Sequence, residues 1–437
     1  MSVATLDRDR LTARASGPLA GVIDIPGDKS MSHRALILGG LAKGKTRISG
    51  LLEGDDVLRT AAAVAALGAE VERTGDGEWS VVGAEWRSPA GPIDCGNSGT
   101  GARLLMGAVA GLPIEVTFTG DESLSRRPMG RVLDPLRTMG ARVVAAEGGR
   151  MPVTISGGAL GGIRFVNEMA SAQVKSAILL AGLRADGAVE VIEPIATRDH
   201  SENMLRAFGC DVERDGELIR LGERRALTAI DVVIPADPSS AAFPLVAALI
   251  CSGSYVTARG VMLNPLRTGL LTTLAEMGAE IELTNRRSVG GEEVADIVAR
   301  ASPLHGVEVP ASRSASMIDE YPILAVAAAF AHGRSIMHGL AELRVKESDR
   351  LAAIIAGLTA CGVEAREKGD GLIVEGTGRP PRGGATINAN HDHRIAMSFL
   401  VLGLASTQPV GVTGAETIAT SFPGFTELMS SLGARIA

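Results

Sequence analysis

Six segments of the chain repeat the same order of apolar and polar positions. In each segment a helical run ends at a glycine, and alternating apolar and polar residues follow; the glycines are Gly68, Gly140, Gly209, Gly278, Gly362 and Gly433. Glycine after a helix is the usual left-handed cap, and the alternation is typical of a strand. Their spacing, roughly 70 residues, indicates repeated structural units.

A second helix recurs out of phase with the first. Its copies begin with polar residues and continue almost wholly apolar; they are predicted at 30–41, 98–110, 171–183, 239–251, 318–331 and 392–404. A helix that is apolar on every face must be buried on every side. The pattern therefore predicts an α/β fold of βαβ-like units turned inside out, with buried helices and outer sheets.

The length predicts how these units are grouped. A chain of 437 residues is longer than the 250–300 residues, roughly, beyond which a single hydrophobic core stops growing. We therefore predict two domains of three units each, divided at the turn-rich segments 25–27 and 234–236. The first domain is predicted at 28–235 and the second at 1–27 plus 236–437, with two hinge crossovers near 27 and 236.

The charge and the cysteines exclude several classes of protein. A formal net charge of −7 argues against a general nucleic-acid or membrane-surface binder. The four cysteines are far apart without a CxxC pair, so neither a zinc framework nor disulfides are expected. The apolar runs are too short for a membrane span, and the first residues carry no apolar leader. We expect a cytoplasmic protein.

The starts of the buried helices predict where anions bind. A helix N-terminus attracts phosphate and carboxylate, so six such ends facing one interdomain cleft would favour polyanionic ligands. Basic side chains also occur before the flanking helices, in the segments 125–128, 198–200 and 344–350. Helix capping and surface ion pairs are the alternative explanations for these two sets.

Other site types lack a sequence signal. The chain has no Walker A, GxGxxG, GxSxG or HExxH motif. His391 and His393 are a possible metal pair, but two alternating histidines without further ligands rarely bind metal. We expect no metal and no cofactor.

Six motifs together resemble one enzyme family. They lie at 26–34 (Pro-Gly-Asp-Lys-Ser-Met-Ser-His-Arg), 96–100, 127–130, 169–176, 343–350 and 392–397. These segments resemble the 5-enolpyruvylshikimate-3-phosphate synthase family over nearly the whole chain, in the subgroup often described as class II. The resemblance implies two inside-out domains of three βαβαββ units each. It also implies transfer of the enolpyruvyl group of phosphoenolpyruvate (PEP) to the 5-hydroxyl of shikimate 3-phosphate, with release of phosphate, in aromatic amino acid biosynthesis.

The resemblance also implies which residues bind the substrates. The shikimate 3-phosphate contacts it implies are Lys29, Ser30, Arg34, Ser171, Ala172, Gln173, Arg198 and Lys346. The PEP contacts it implies are Gly99, Arg127, Arg350 and Arg394, with Asn97 and Thr100 nearby, and Lys29, Ser30 and Arg34 are shared by the two substrates.

The resemblance further implies the residues that move protons. Asp319 resembles the base that takes the proton of the 5-hydroxyl, and Glu347 resembles the acid that protonates the methylene carbon of PEP. Lys29 is counted with these catalytic residues. The other subgroup carries a lysine shortly before Phe422-Pro423, and this chain has none there, which increases the reliance on Glu347.

Two alternatives remain open at this point. A related transferase that uses UDP-N-acetylglucosamine has asparagine after the first lysine and a cysteine in a loop beside the donor site. Here Ser30 follows Lys29, and 121–127 contains no cysteine. A non-catalytic anion-binding protein of the same fold is the second alternative, although both Asp319 and Glu347 are present. We expect a monomer whose partners are the two small substrates, without nucleic acid or membrane.

Overall fold

A computed structural model describes residues 10–437. Their contacts form two compact units. The first unit is Pro26–Pro235 with Val289–Gly291, and the second is Ala236–Ser288 and Glu292–Ala437 with the described residues up to Ile25. Residues 1–9, which the sequence assigns to the second domain, lie outside the described residues. The hinge role of the two crossovers stays a prediction.

The first unit contains three four-stranded sheets. In spatial order their strands are Val232–Val233, Lys45–Ser49, Glu78–Val82 and Glu70–Gly75; then Ile93–Asp94, Glu115–Thr119, Arg150–Ser156 and Arg142–Ala146; then Leu160–Val166, Ala185–Ile192, Leu218–Leu221 and Val212–Asp215.

The second unit also contains three four-stranded sheets. Their strands are Thr386–Asn388, Val410–Thr413, Arg10–Arg14 and Arg435–Ile436; then Glu280–Val289, Glu292–Arg300, Tyr255–Met262 and Ala20–Asp24; then Glu308–Val309, His332–Met337, Gly371–Thr377 and Glu364–Lys368.

The helices alternate with these strands. Those of the first unit are α1 (Lys29–Leu41), α2 (Asp55–Ala66), α3 (Gly99–Ala110), α4 (Glu122–Arg126), α5 (Gly130–Met139), α6 (Ala172–Gly182) and α7 (His200–Ala207). Those of the second are α8 (Pro238–Ile250), α9 (Gly269–Glu276), α10 (Tyr321–Phe330), α11 (Arg350–Ala360), α12 (His393–Gly403) and α13 (Phe425–Ser431). Short 3₁₀ helices lie at Ala311–Ser316, Ala341–Val345 and Ala415–Thr420.

The inside-out α/β prediction is confirmed. The six helices predicted to be buried correspond to α1, α3, α6, α8, α10 and α12, and almost every residue of these helices is buried. The six repeat glycines all have φ between +82° and +118°, a conformation that glycine adopts without steric cost. Only one boundary of these six helices differs from the prediction by more than one residue. The helix α10 begins at Tyr321 instead of 318, with Pro322 in its first turn, where no N–H is needed. Asp319 therefore lies in the turn before this helix.

The buried helices cross between parallel strands, but two crossovers are exchanged. In four sheets the strand before a buried helix pairs in parallel with the strand after it. Ala20–Asp24, which precedes α1, pairs instead with the strand after α8. Val232–Val233, which precedes α8, pairs with the strand after α1. Each unit is therefore completed by a strand that is distant in sequence.

The four cysteines of the chain are all free thiols, and all are buried. Within residues 10–437, none of the helices has the length and apolar character that crossing a bilayer requires.

Candidate active site

The first predicted site residues lie at the start of α1. Asp28 caps this helix, because its Oδ1 accepts a hydrogen bond from the backbone N–H of Met31 at 2.7 Å. Lys29 Nζ lies 3.0 Å from Asp56 Oδ2, and its side chain is 16% exposed. Ser30 follows within the first turn. The sequence motif thus places an accessible ammonium group at a positive helix end.

Arg34 lies one turn further along α1 and is buried. Its guanidinium donates to Ser30 O at 2.9 Å, to Ser176 Oγ at 2.8 Å and to Ser201 Oγ at 2.8 Å. These bonds tie α1 to α6 and α7. In the described fold Arg34 therefore has a packing role, which the sequence prediction of a substrate contact did not include.

Asn97, Gly99 and Arg127 come together at the start of α3. Arg127 Nη2 donates to Asn97 Oδ1 at 2.5 Å and to Ser123 Oγ at 3.1 Å. A Cβ on Gly99 would lie 2.8 Å from Arg127 Nη1. This glycine therefore lets a guanidinium approach the backbone at the helix N-terminus.

Gln173 forms hydrogen bonds with Thr100 and with Arg103. Arg103 was not among the residues predicted from the sequence. Gln173 Nε2 donates to Thr100 Oγ1 at 2.8 Å, and Arg103 Nη1 donates to Gln173 Oε1 at 2.9 Å. Arg103 Nη1 is also 2.8 Å from the position of a Cβ on Gly99. The available signal was a single charged residue inside an apolar helix, since buried arginines are rare unless paired.

His33 is a second residue that the sequence analysis missed. It is buried in α1, with Nδ1 2.8 Å from Thr60 Oγ1 and Nε2 3.5 Å from Ser98 Oγ. Burial first, and then the positive charges of Lys29 and Arg34, hold the pKa of His33 well below its usual value. A neutral imidazole therefore supports Ser98, the N-cap of α3.

Ser171, Ala172 and Arg198 lie at or near the starts of α6 and α7. Ser171 caps α6, and its Oγ accepts from the N–H of Val174 at 3.5 Å. Ala172 is the first residue of that helix. Arg198 is partly exposed and lies two residues before α7 begins.

The predicted site residues of the second unit surround one buried arginine. Arg350 is 1% exposed, and its nitrogens lie 3.0 Å from Asp319 Oδ1, 2.5 Å from Glu347 Oε2 and 2.8 Å from Asp392 Oδ2. Burial, the largest single effect, lowers the pKa of Arg350, but Asp392, Glu347 and Asp319 together raise it above its usual value. The guanidinium is therefore charged at neutral pH.

Lys346 and Arg394 complete this group. Lys346 Nζ lies 3.3 Å from Asp319 Oδ1. Arg394 Nη1 donates to the backbone oxygen of Asp319 at 3.0 Å and to Glu320 Oε1 at 3.2 Å. The structure thus brings Asp319, Lys346, Glu347, Arg350 and Arg394 together within the second unit. The predicted base and acid both contact the same arginine.

Within residues 10–437, the possible metal pair His391 and His393 lies outside any cluster of metal-binding side chains. Among the described residues, neither His391 nor His393 belongs to a group of three or more potential metal ligands. His393 is buried, with Nδ1 3.3 Å from Thr420 Oγ1. The expectation that no metal is needed stays a prediction.

Comparisons with known proteins match nearly the whole chain. A family model described as EPSP synthase (3-phosphoshikimate 1-carboxyvinyltransferase) matches residues 13–429. Curated proteins named 3-phosphoshikimate 1-carboxyvinyltransferase are 58% identical in Caulobacter vibrioides (98% of both chains) and 59% identical in Methylorubrum populi (98% of this chain, 97% of the relative).

The same likeness extends to solved structures. The EPSP synthase of Acinetobacter baumannii has a TM-score of 0.86 at 43% identity, over 98% of this chain and 99% of that one. An enolpyruvyl transferase, NikO of Streptomyces tendae, has a TM-score of 0.77 at 20% identity, over 98% of each chain. At that identity the second likeness concerns the fold alone.

Proposed function

We propose that this chain, which belongs to the EPSP synthase (3-phosphoshikimate 1-carboxyvinyltransferase) family, transfers the enolpyruvyl group of PEP to the 5-hydroxyl of shikimate 3-phosphate and releases phosphate. This is a step of the shikimate pathway, in aromatic amino acid biosynthesis. The observation that carries the proposal is identity of 58–59% to enzymes of that name over nearly the full chain.

Charge explains why the reaction needs so many basic residues. The two substrates together carry two phosphates and two carboxylates, which repel each other. In the first unit Lys29 begins α1, and Arg127 lies between α4 and α5, beside the start of α3. In the second unit Arg350 begins α11, and Arg394 is the second residue of α12. Arginine binds phosphate and carboxylate in a bidentate geometry, so these groups can hold both anions. We assign Ser171, Ala172, Gln173 and Arg198 to shikimate 3-phosphate.

The addition step needs an acid and a base. We assign Glu347 to protonate the methylene carbon of PEP, which gives the neighbouring carbon cationic character. The 5-hydroxyl oxygen then bonds to that carbon while Asp319 takes its proton.

The elimination step returns the chain to its starting state. The bond between the tetrahedral carbon and the phosphate oxygen breaks, and the methyl group formed earlier gives a proton back to Glu347, which restores the double bond. The proton that Asp319 took from the 5-hydroxyl passes to the leaving phosphate. The electron pair of the breaking bond leaves with phosphate. Lys29, Arg127, Arg350 and Arg394 stabilise this developing negative charge. These steps involve only the two substrates and side chains of the chain.

We infer that the protein is cytoplasmic, because four free buried thiols suit a reducing compartment. We also propose that it is a monomer. The two crossovers near residues 27 and 236 are proposed to act as hinges.

Phosphate release tests the reaction directly. We expect release only when PEP and shikimate 3-phosphate are both present, because the carbon–oxygen bond breaks after the acceptor has added. The measurement is a coupled phosphate assay, with each substrate alone as controls and UDP-N-acetylglucosamine as an alternative acceptor. Equal release without shikimate 3-phosphate, or release only with the nucleotide sugar, refutes the proposal.

A single added methyl group tests the assignment of Gly99 to PEP. In Gly99→Ala the methyl would lie 2.8 Å from both Arg127 Nη1 and Arg103 Nη1, so both guanidinium groups must move. We expect the KM for PEP to rise about tenfold, or about 1.4 kcal/mol, with a much smaller change in the KM for shikimate 3-phosphate. Initial rates at varied substrate concentrations measure both values.

Gly158→Ala is the matched control for this variant. A Cβ at Gly158 would meet nothing within 4 Å, so its kinetics should equal those of the unchanged enzyme. An unchanged KM for PEP in Gly99→Ala would show that Gly99 and Arg127 do not contact PEP.

A further inference from the structure

A lysine with two glutamates is buried in the first unit, outside the predicted site residues. Lys175, in α6, has no exposed side-chain surface, and its Nζ lies 2.9 Å from Glu193 Oε2 and 2.7 Å from Glu202 Oε1. The two glutamate side chains are 0% and 1% exposed. Arg214 Nη1 lies 3.9 Å from both carboxylates, at the edge of this Lys175 cluster.

Stability alone does not account for such a cluster. Desolvating buried charges costs several kcal/mol per ion, and well-packed apolar residues of similar volume are often as stable or more stable. A buried ion pair does, however, fix the positions of the groups that hydrogen-bond to it. The Lys175 cluster forms such hydrogen bonds with two segments, one that contains Thr197 and one that contains Asn167.

The first held segment leads to Arg198. Glu193 Oε1 accepts a hydrogen bond from Thr197 Oγ1 at 2.5 Å, and Glu193 Oε2 accepts one from the Thr197 N–H at 3.4 Å. Lys175 Nζ donates to the backbone oxygen of Thr197 at 3.5 Å. Three polar groups of Thr197 are thus bound by the cluster, and the next residue is Arg198.

The second held segment leads to Ser171. Glu193 Oε1 also accepts from Asn167 Nδ2 at 3.1 Å. The side-chain amide of Asn167 also forms two hydrogen bonds with the backbone of Ser171. Its Nδ2 donates to Ser171 O at 3.1 Å, and its Oδ1 accepts from Ser171 N–H at 3.2 Å. Within this turn Ala170 has φ of +48°, a conformation that costs an L-residue about 1–2 kcal/mol. The turn therefore needs support, which the side chain of Asn167 and its hydrogen bond to Glu193 supply.

One carboxylate consequently connects both segments. We propose that Lys175 and Glu193 are positioning residues for shikimate 3-phosphate: Lys175 holds Glu193, which fixes Ser171 through Asn167 and Arg198 through Thr197. The inference rests on the proposed function, because it assigns Ser171 and Arg198 to that substrate. Neither Lys175 nor Glu193 touches the substrate. PEP recognition, which uses other residues, should be insensitive to the cluster.

Two substitutions test this inference, one that removes a buried charge and one that removes a single hydrogen bond. Lys175→Met keeps an unbranched side chain of similar length but removes the charge, so Glu193 loses its partner. Thr197→Val keeps the shape of the side chain and removes only the Oγ1 hydrogen bond to Glu193. We expect the KM for shikimate 3-phosphate to rise at least tenfold in the first and severalfold in the second. The KM for PEP should change less than twofold in both.

A buried threonine elsewhere in the first unit supplies the matched control. Thr46 is fully buried in the strand Lys45–Ser49, and its Oγ1 has no hydrogen-bond partner among the described residues, so Thr46→Val should leave both KM values unchanged. Calorimetric titration with shikimate 3-phosphate alone gives the same comparison without turnover, and thermal unfolding identifies folded variants.

The outcomes separate a positioning role from a purely structural one. A selective loss of shikimate 3-phosphate affinity in folded Thr197→Val supports the inference, even if Lys175→Met does not fold. An unchanged KM for that substrate in Thr197→Val, or parallel increases of both KM values, overturns it. Failure of the unchanged enzyme to release phosphate from the two substrates would instead refute the proposed function.

Discussion

Replacing Asp319 by asparagine is expected to lower kcat by about 10²–10⁴-fold, the usual contribution of a positioned base. Asparagine keeps the size of the side chain and an oxygen that can accept from Arg350 Nη1 and Lys346 Nζ, which lie 3.0 and 3.3 Å from Asp319 Oδ1. It cannot take the proton of the 5-hydroxyl. The KM values of both substrates should therefore change far less than kcat. Steady-state kinetics with both substrates varied measure the separation.

Two further variants complete this test. Asp319→Ala should also bind the substrates and lose most of its turnover. Asp370→Asn makes the same chemical change on an exposed turn residue and should leave kcat unaltered. Turnover by Asp319→Asn at the rate of the unchanged enzyme would remove Asp319 from the mechanism.

Replacing Arg350 by methionine is expected to destabilise the protein by about 3–5 kcal/mol, the usual cost of removing one partner from a buried ion pair. Asp319, Glu347 and Asp392 would then share a site without the guanidinium that they contact at 2.5–3.0 Å. Turnover should also fall below detection, because the proposed acid and base both contact Arg350. Chemical denaturation and the phosphate assay measure the two effects.

A surface control identifies the cause of this loss. Arg366→Met removes an arginine from between two carboxylates on the surface, where ion pairs contribute about 0–1 kcal/mol. We expect the loss in Arg350→Met to be much larger, because its carboxylates are left without a partner in a buried place. Equal losses in the two variants would contradict this explanation.

The repeats were predictable from sequence because each signal is local. A glycine with positive φ after a helix, or an apolar helix buried on all sides, depends on residues close together in the chain. The turn-rich segments predicted that residues 1–27 belong with 236–437, but they did not predict which strands pair. The pairing of Ala20–Asp24 with Tyr255–Met262 joins segments more than two hundred residues apart, and no local signal indicates it. The start of α10 was misplaced because apolar character continues outside the helix at Ile318.

The candidate site also has features that local sequence predicts and features that it does not. The motifs predicted the side chains at the helix starts, and the structure groups these side chains within each unit. Arg34 was assigned by its motif to substrate, whereas its bonds to Ser176 and Ser201 join residues far apart in sequence. Arg103 and Lys175 were missed for a related reason. A lone charge in an apolar helix has a meaning only when its distant partner is known.

The exchanged crossovers determine the order in which the chain can be completed during synthesis. Asp28 N–H donates to Pro235 O at 2.8 Å, so the first unit begins and ends at neighbouring residues. The segment Pro26–Pro235 can fold once Pro235 has left the ribosome, and only Val289–Gly291 joins this unit later. The strands Arg10–Arg14 and Ala20–Asp24, although made earlier, pair only with segments after residue 236. These two strands therefore stay unpaired in the nascent chain until more than two hundred later residues have been translated. During that time they are exposed to aggregation with other chains.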